Sequence, residues 1–158
     1  MATAASAVSE WGFSGNIVVL PKPATKPDSI TGVHCTVIVR SKNMLLMIHR
    51  RNKEMPWRFI GGKPEQGEAL IVAAGRELKE ESGLEALNLS FYSVGLTKID
   101  SGLWKGYYFT CDNYIGFPAI QEPEKVDEMA WFAPEDIAAL DAPPMERSFA
   151  AQLNVLAK

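Results

Sequence analysis

Short apolar runs, separated by polar, glycine or proline breaks, dominate this chain and predict a sheet with a few helices. Val33–Arg40 and Met44–His49 are apolar runs joined by Ser41-Lys42-Asn43, which predicts a hairpin. Trp57-Arg58-Phe59-Ile60 reads as a short strand that runs into a tight turn at Gly61-Gly62-Lys63-Pro64. Leu89–Ile99 and Lys105–Cys111 predict two strands around an Asp100–Trp104 turn, and Met129–Phe132 predicts another. Three stretches read as helices: residues 69–82, a segment opened by Pro134 with Glu135 and Asp136 in its first turn, and 146–156. Ile17–Leu20 predicts an edge strand, and the proline-rich 21–27 reads as an extended connector. This order implies an α/β fold in which a mixed sheet is covered by helices on both faces. It places one domain over residues 31–158, preceded by an arm and Pro-rich connector over 1–30.

The helix over 69–82 carries the chemistry. It has no proline, and Gly83 stands where a left-handed residue would end it. At about 100° per residue, Glu81 falls roughly 40° from Glu77, and Glu80 roughly 60° to the other side. Three carboxylates therefore leave one narrow edge. Ile71, Gly75 and Leu78 fall about 100–160° away and predict a separate packing stripe. Gly75 implies a close approach of helix to sheet. Like charges so close raise one another's pKa unless something neutralises them. A hard divalent cation, Mg²⁺ or Mn²⁺, takes carboxylate oxygens and shares its remaining positions with phosphates. Arg76, four residues before Glu80, is placed to pair with it and hold its rotamer. A carbonyl from Gly61 is a candidate to complete the cation shell. Glu68 sits at the helix N-terminus, where the dipole favours a carboxylate, and reads as structural.

Charge and composition narrow the partners. The 158 residues carry a net charge of −3 with no basic stripe, which argues against duplex nucleic acid but allows a nucleotide held by metal. No apolar run reaches membrane-spanning length and no targeting segment is evident, so a cytoplasmic protein is expected. Cys35 and Cys111 sit in apolar runs and read as buried thiols, while His34 and His49 lack ligand spacing. A homodimer is left open.

From Gly62 to Leu84 the residues read G-x5-E-x7-R-E-L-x-E-E-x-G-L, filled by Gly62, Glu68, Arg76, Glu77, Leu78, Glu80, Glu81, Gly83 and Leu84. Average composition would fill such a window by chance on the order of one time in 10⁹. This resembles the signature of the Nudix hydrolases, and the resemblance extends more loosely from Thr31 to about Leu140. It implies an α/β/α sandwich with the motif as a loop-helix-loop. It also implies cleavage of a nucleoside diphosphate linked to another group, by water attack on a bridged phosphorus. On this resemblance Glu77, Glu80 and Glu81 are metal ligands and catalytic groups. The general base is one of these or a carboxylate outside the motif; Glu122, Glu124, Asp127 and Glu128 cluster suggestively ahead of Met129–Phe132.

Trp57 to Lys63 is similar to the W-x-F-P-G-G-K segment of MutT-like nucleoside triphosphate pyrophosphohydrolases, with Ile60 in place of the proline. Ile48-His49-Arg50-Arg51 resembles the strand end that carries a phosphate-contacting arginine there, which makes Arg50, Arg51 and Lys63 phosphate-binding candidates. Glu124, Asp127 and Glu128 are weaker candidates for reading a base. Trp57, Trp104, Tyr107, Phe109 and Trp131 are candidates for a stacking wall. The upstream motif of coenzyme A hydrolases and the downstream proline of ADP-ribose hydrolases are missing. The expected substrate is a nucleoside triphosphate, deoxy or damaged, cut to monophosphate and pyrophosphate. Sugar-nucleotide or dinucleoside polyphosphate hydrolysis, and a non-catalytic nucleotide sensor, are the alternatives.

Overall fold

The structure, a computed structural model, describes residues 29–99 and 101–156 and two short strands nearer the N-terminus. Those strands, β1 (Ala4–Ser6) and β2 (Asn16–Val18), pair antiparallel with each other. Of the expected edge strand at Ile17–Leu20, the described Ile17 and Val18 thus pair with β1 and not with the main sheet. The last two residues of that stretch, the connector over 21–27 and Asp100 lie outside the described residues.

The main sheet has seven strands. Five run in the order β11 (Val126–Phe132), β4 (Met44–Arg50), β3 (Gly32–Ser41), β9 (Gly102–Cys111) and β8 (Ser90–Ile99). Beside them β5 (Trp57–Arg58) pairs with β4, and β6 (Ile60–Gly62) pairs with β3. Only the β3–β9 pair of this sheet is parallel, so the sheet is mixed. Two further short strands, β7 (Glu85–Ala86) and β10 (Tyr114–Ile115), form a separate ribbon.

Alternation along the central strands explains how both faces are filled. Cys35, Val37 and Val39 of β3, with Leu46 and Ile48 of β4, join Ala73, Ala74 and Leu78 of helix α1 (Leu70–Ser82) in one core. The intervening Ile38, Leu45 and Met47 join Phe149, Ala150 and Leu153 of α3 (Pro144–Leu156) and Ile137 of the short α2 (Pro134–Ile137) in the other. Burial on both sides is why these strands read as nearly unbroken apolar runs. The expected sheet, with helices on its two faces, is what folds.

Several boundaries differ from the sequence reading. The β3–β4 turn is as predicted, with Lys42 and Asn43 both at positive φ (51° and 61°), as a two-residue turn of that hand requires. The β8–β9 turn is much tighter than Asp100–Trp104, since Ile99 pairs with Gly102. β11 begins three residues earlier than Met129, and α3 begins two residues before Glu146. Gly61 and Gly62 do not form a turn; they are strand residues opposite Thr36 and Cys35. The predicted stripe on α1 holds only at Leu78. Ile71 is 46 % exposed, and the helix instead lays Ala73, Ala74, Leu78 and Glu81 on the sheet. Nor does Gly75 mark a close approach, because a Cβ there would meet only Leu89 Cδ1, at 3.7 Å.

Candidate active site

The carboxylate edge of α1 lies against the end of β6, and the two glycines of β6 make that possible. A Cβ on Gly62 would stand 2.4 Å from Glu77 Cδ, and one on Gly61 would stand 2.3 Å from the Cys35 carbonyl oxygen. Glycine is needed here for space rather than for a turn. The helix ends at Gly83, at φ 78°, whose N–H donates to the Lys79 carbonyl.

Although the three glutamates share one edge, their environments diverge. The side chains of Glu81, Glu77 and Glu80 are 2 %, 14 % and 50 % exposed. Glu81 Oε1 accepts from the Gly61 N–H at 3.0 Å and from Arg50 Nη2 at 3.2 Å. Its other oxygen, Oε2, is buried, lies 3.1 Å from Arg50 Nη2, and accepts no hydrogen bond among the described residues. Burial pushes the Glu81 carboxyl up to about 6, against the pull of Arg50 and the Gly61 amide. Burial also raises Glu77, with Arg76 opposing.

Arg76 is the hub on the outer side. It forks onto Glu68 through Nε and Nη2, both at 2.8 Å. Its Nη1 donates to Glu77 at 3.0 Å and to Glu80 at 3.1 Å, and Nη2 also donates to the Lys63 carbonyl at 3.1 Å. These bonds hold the Glu68 carboxyl down at about 2. The pairing with Glu80 follows the helical spacing, but the stronger partner is Glu68, which precedes the Ala69 cap and ties the loop to the helix.

A cleft of about 380 Å³ opens beside this edge. Arg50, Lys53, Arg58, Gly61, Gly62 and Lys63 line it together with His34, Thr36, Trp104, Tyr108 and Glu146. The parallel register puts Thr36 beside Tyr108 and His34 beside Gly106, all facing the α3 side. Gly106 leaves room for the His34 ring, 2.5 Å from where a Cβ would stand. Burial first, then Arg58 and Arg50, holds His34 down at about 4, so it is neutral at pH 7. Lys63 Nζ lies 4.8 Å over the Trp104 ring.

The structure brings together Gly61, Arg50, Arg76, Glu77, Glu80, Glu81 and Lys63. Arg50 also donates to the Gly61 carbonyl, at 2.8 Å. Others stand apart. Arg51 donates to the Pro123 carbonyl, and Asp127 Oδ1 accepts from His49 Nδ1 at 2.6 Å. Glu122 pairs with Lys125, while Glu124 and Glu128 are exposed; none of these residues lines the cleft. Of the aromatic candidates Trp104 alone lines it; Phe109 is core, Trp57 packs on Phe132, and Trp131 stacks on Tyr114. Cys35 and Cys111 are buried free thiols, as expected.

Sequence reasoning missed Lys53, Tyr108 and Glu146. A signal for the last existed: Glu146, Phe149, Ala150 and Leu153 are spaced as one buried helical stripe, with a carboxylate in it.

The donor set suits a hard cation, combining a crowded pair of partly or fully buried carboxylates, an unsatisfied Glu81 oxygen and a backbone carbonyl. Among the described residues no three acidic groups converge on one point; Arg76 binds Glu77 and Glu80, and Arg50 lies on Glu81.

An oxidized purine nucleoside triphosphate hydrolase of Danio rerio is 39% identical over 84 residues, 48% of each chain. An m7GpppN-mRNA hydrolase, NUDT17, of Xenopus laevis is 37% identical over 82 residues, 46% of this chain and 28% of that one. The chain thus spans about half or less of the curated relatives it matches. Among solved structures, a MutT NUDIX hydrolase from Burkholderia pseudomallei superposes with a TM-score of 0.62 at 27% identity, covering 66% of this chain and 84% of that one. The MutT protein of Methanosarcina mazei shares the fold with a TM-score of 0.68 at 18% identity, covering 82% and 99%. The NUDIX domain matches residues 30–153, most of the chain, and with its named relatives being hydrolases this chain belongs to the NUDIX family.

Proposed function

We propose that the chain is a divalent-metal-dependent pyrophosphohydrolase that cuts a nucleoside triphosphate, deoxy or damaged, to its monophosphate and pyrophosphate. The observation that carries this reading is one continuous cleft. Arg50, Lys53, Arg58 and Lys63 line it beside the neutral His34, and Arg50 and the Gly61 N–H donate to Glu81 of α1. A polyphosphate suits the basic side chains, and a base suits the neutral His34 and aromatic Trp104 and Tyr108.

Gly61, Glu77, Glu80 and Glu81 would hold Mg²⁺ or Mn²⁺. When bound, the cation neutralises phosphate charge and lowers the pKa of a coordinated water. Arg50 and Lys63 would orient the phosphates. A carboxylate of the edge, with its affinity for a proton already raised by burial, would accept the proton of the attacking water. Arg76 would keep Glu77 and Glu80 in place as a positioning residue. Pyrophosphate release from a panel of deoxynucleoside triphosphates, with Mg²⁺ and with chelator, tests the reading. Turnover only with nucleoside triphosphates and only with metal supports it. Turnover confined to sugar nucleotides, dinucleoside polyphosphates or capped RNA would replace it with a second reading, in keeping with the cap hydrolase among the relatives. Binding without any turnover would make the chain a sensor.

A further inference from the structure

Helix α1 lies on β6 and β3, and on that face of the sheet the edge strand β8 stays open. Phe91, Val94 and Leu96 are 59 %, 44 % and 54 % exposed there. Their shared face follows from the register. Phe91 is opposite Phe109 and Val94 opposite Tyr107, two aromatic residues of the α1-side core. A bulge between Phe91 and Ser93 lets residues three apart point the same way, and Leu96 continues the alternation. The other face of β8 is filled by α3: Met145 lies against Gly95, and the Tyr92 hydroxyl donates to Gln152 Oε1 at 2.6 Å. β8 is also the last strand of the sheet, so one of its backbone edges pairs with no other described strand.

The N-terminal arm has the chemistry to cover this face. Residues 1–20 carry one charged side chain, Glu10, beside Trp11, Phe13 and the apolar run Ile17–Leu20. A segment that stays in solvent has the opposite composition, rich in charge and poor in aromatic and β-branched residues. Among the described residues β1 and β2 pair only with each other, and an isolated two-stranded ribbon is marginal in water without a surface to pack on. The point of attachment is close. The Thr31 N–H donates to the Leu103 carbonyl at 2.7 Å, beside the turn where Ile99 pairs with Gly102, so the arm joins the domain at the end of β8. Residues 19–30 reach roughly 40 Å when extended, and the ten residues of β8 span about 33 Å. We infer that the β1–β2 ribbon docks on the open face of β8 in the same chain, over Phe91, Val94 and Leu96. Thr97 and Ile99 of that strand line the cleft, so the ribbon braces one of its walls. Docking does not depend on which nucleotide the cleft takes.

Maleimide alkylation of Leu96→Cys in the full chain tests this. Cys35 and Cys111 are fully buried and stay unreactive while the core is intact, so they report the fold. Leu87→Cys, at a position 63 % exposed beside β7, is the open control. The thiol of Leu96→Cys should react about tenfold or more slowly than the control, at a rate unchanged over about a hundredfold dilution. Adding Ile17→Asp/Val18→Asp should release it to within about threefold of the control. Neighbouring strand residues face opposite ways, so one of the two substitutions puts a charge on the docking side. A rate equal to the control without the arm substitutions overturns the docking. So does slow reaction that survives them, or slow reaction that is lost on dilution, which would mean that a second copy covers β8. If Leu96→Cys makes the core thiols reactive, Val94→Cys on the same face takes its place with the same readings.

Discussion

Gly62→Ala probes the contact on which the carboxylate edge depends. The backbone at Gly62 is ordinary strand, so alanine meets no conformational barrier. Space is the obstacle: the new Cβ would lie 2.4 Å from Glu77 Cδ and Oε1 and 2.6 Å from Oε2. Comfortable heavy-atom contact is about 3.5–4.0 Å, so the carboxylate must move by about 1 Å. Movement breaks its 3.0 Å bond to Arg76 or lifts α1 from β6. Overpacking of this kind costs about 1–3 kcal/mol, offset by about 0.4–1 kcal/mol from the stiffer unfolded chain. At about 2–4 °C per kcal/mol for a domain of this size, the melting temperature should fall by a few degrees. Activity should fall much further, because misplacing a reacting group by about 1 Å can cost about 10²-fold. Pyrophosphate release gives kcat/KM and a thermal melt gives stability. Shortening the obstructed side chain in Gly62→Ala/Glu77→Asp should restore the melt but not the rate. A Gly62→Ala protein with kcat/KM within threefold of the parent would refute the argument.

The same geometry yields further expectations. Gly75→Ala should stabilise the fold by about 0.5–1 kcal/mol, since the helix gains a better former and the Cβ meets only Leu89; a lower melting temperature would contradict this. Glu81→Gln preserves shape and an acceptor for the Gly61 N–H but removes the charge, and should cut turnover by about two orders of magnitude or more while circular dichroism stays unchanged. Near-normal turnover would remove Glu81 from the chemistry. Glu146 should make stability depend on pH. Its carboxyl is raised from 4.5 to about 7 on folding, so between those values the folded chain binds more protons than the unfolded one, and stability falls as pH rises. The contribution lost is about 3 kcal/mol, complete above pH 7. Urea unfolding at pH 5 and pH 8 should show a difference of that order that disappears in Glu146→Gln; equal slopes in the two proteins would show that burial does not tune the acid.

What could be read from the chain alone was whatever local geometry dictates. Helical spacing put Glu77, Glu80 and Glu81 on one edge and Arg76 beside Glu80, and glycine at 83 marked the helix end. Apolar runs announced the strands, because residues buried on two faces leave no polar gaps. Contacts across the fold had no such signature. That Arg76 grips Glu68, that Arg50 lies on Glu81 and the Gly61 carbonyl, and that Gly61 and Gly62 give space instead of a turn all depend on how α1 docks against β6. Glu146 is the clearest case: its place in an apolar helical stripe signals burial, but its partner Phe59 lies 87 residues away and no local spacing predicts it. Spacing along a helix sets which side chains point the same way, but burial and partner are properties of the packed surface they meet. For that reason the carboxylates could be found in the sequence, whereas their unequal exposure, and the contact of Glu146 with Phe59, emerged only when the chain was folded.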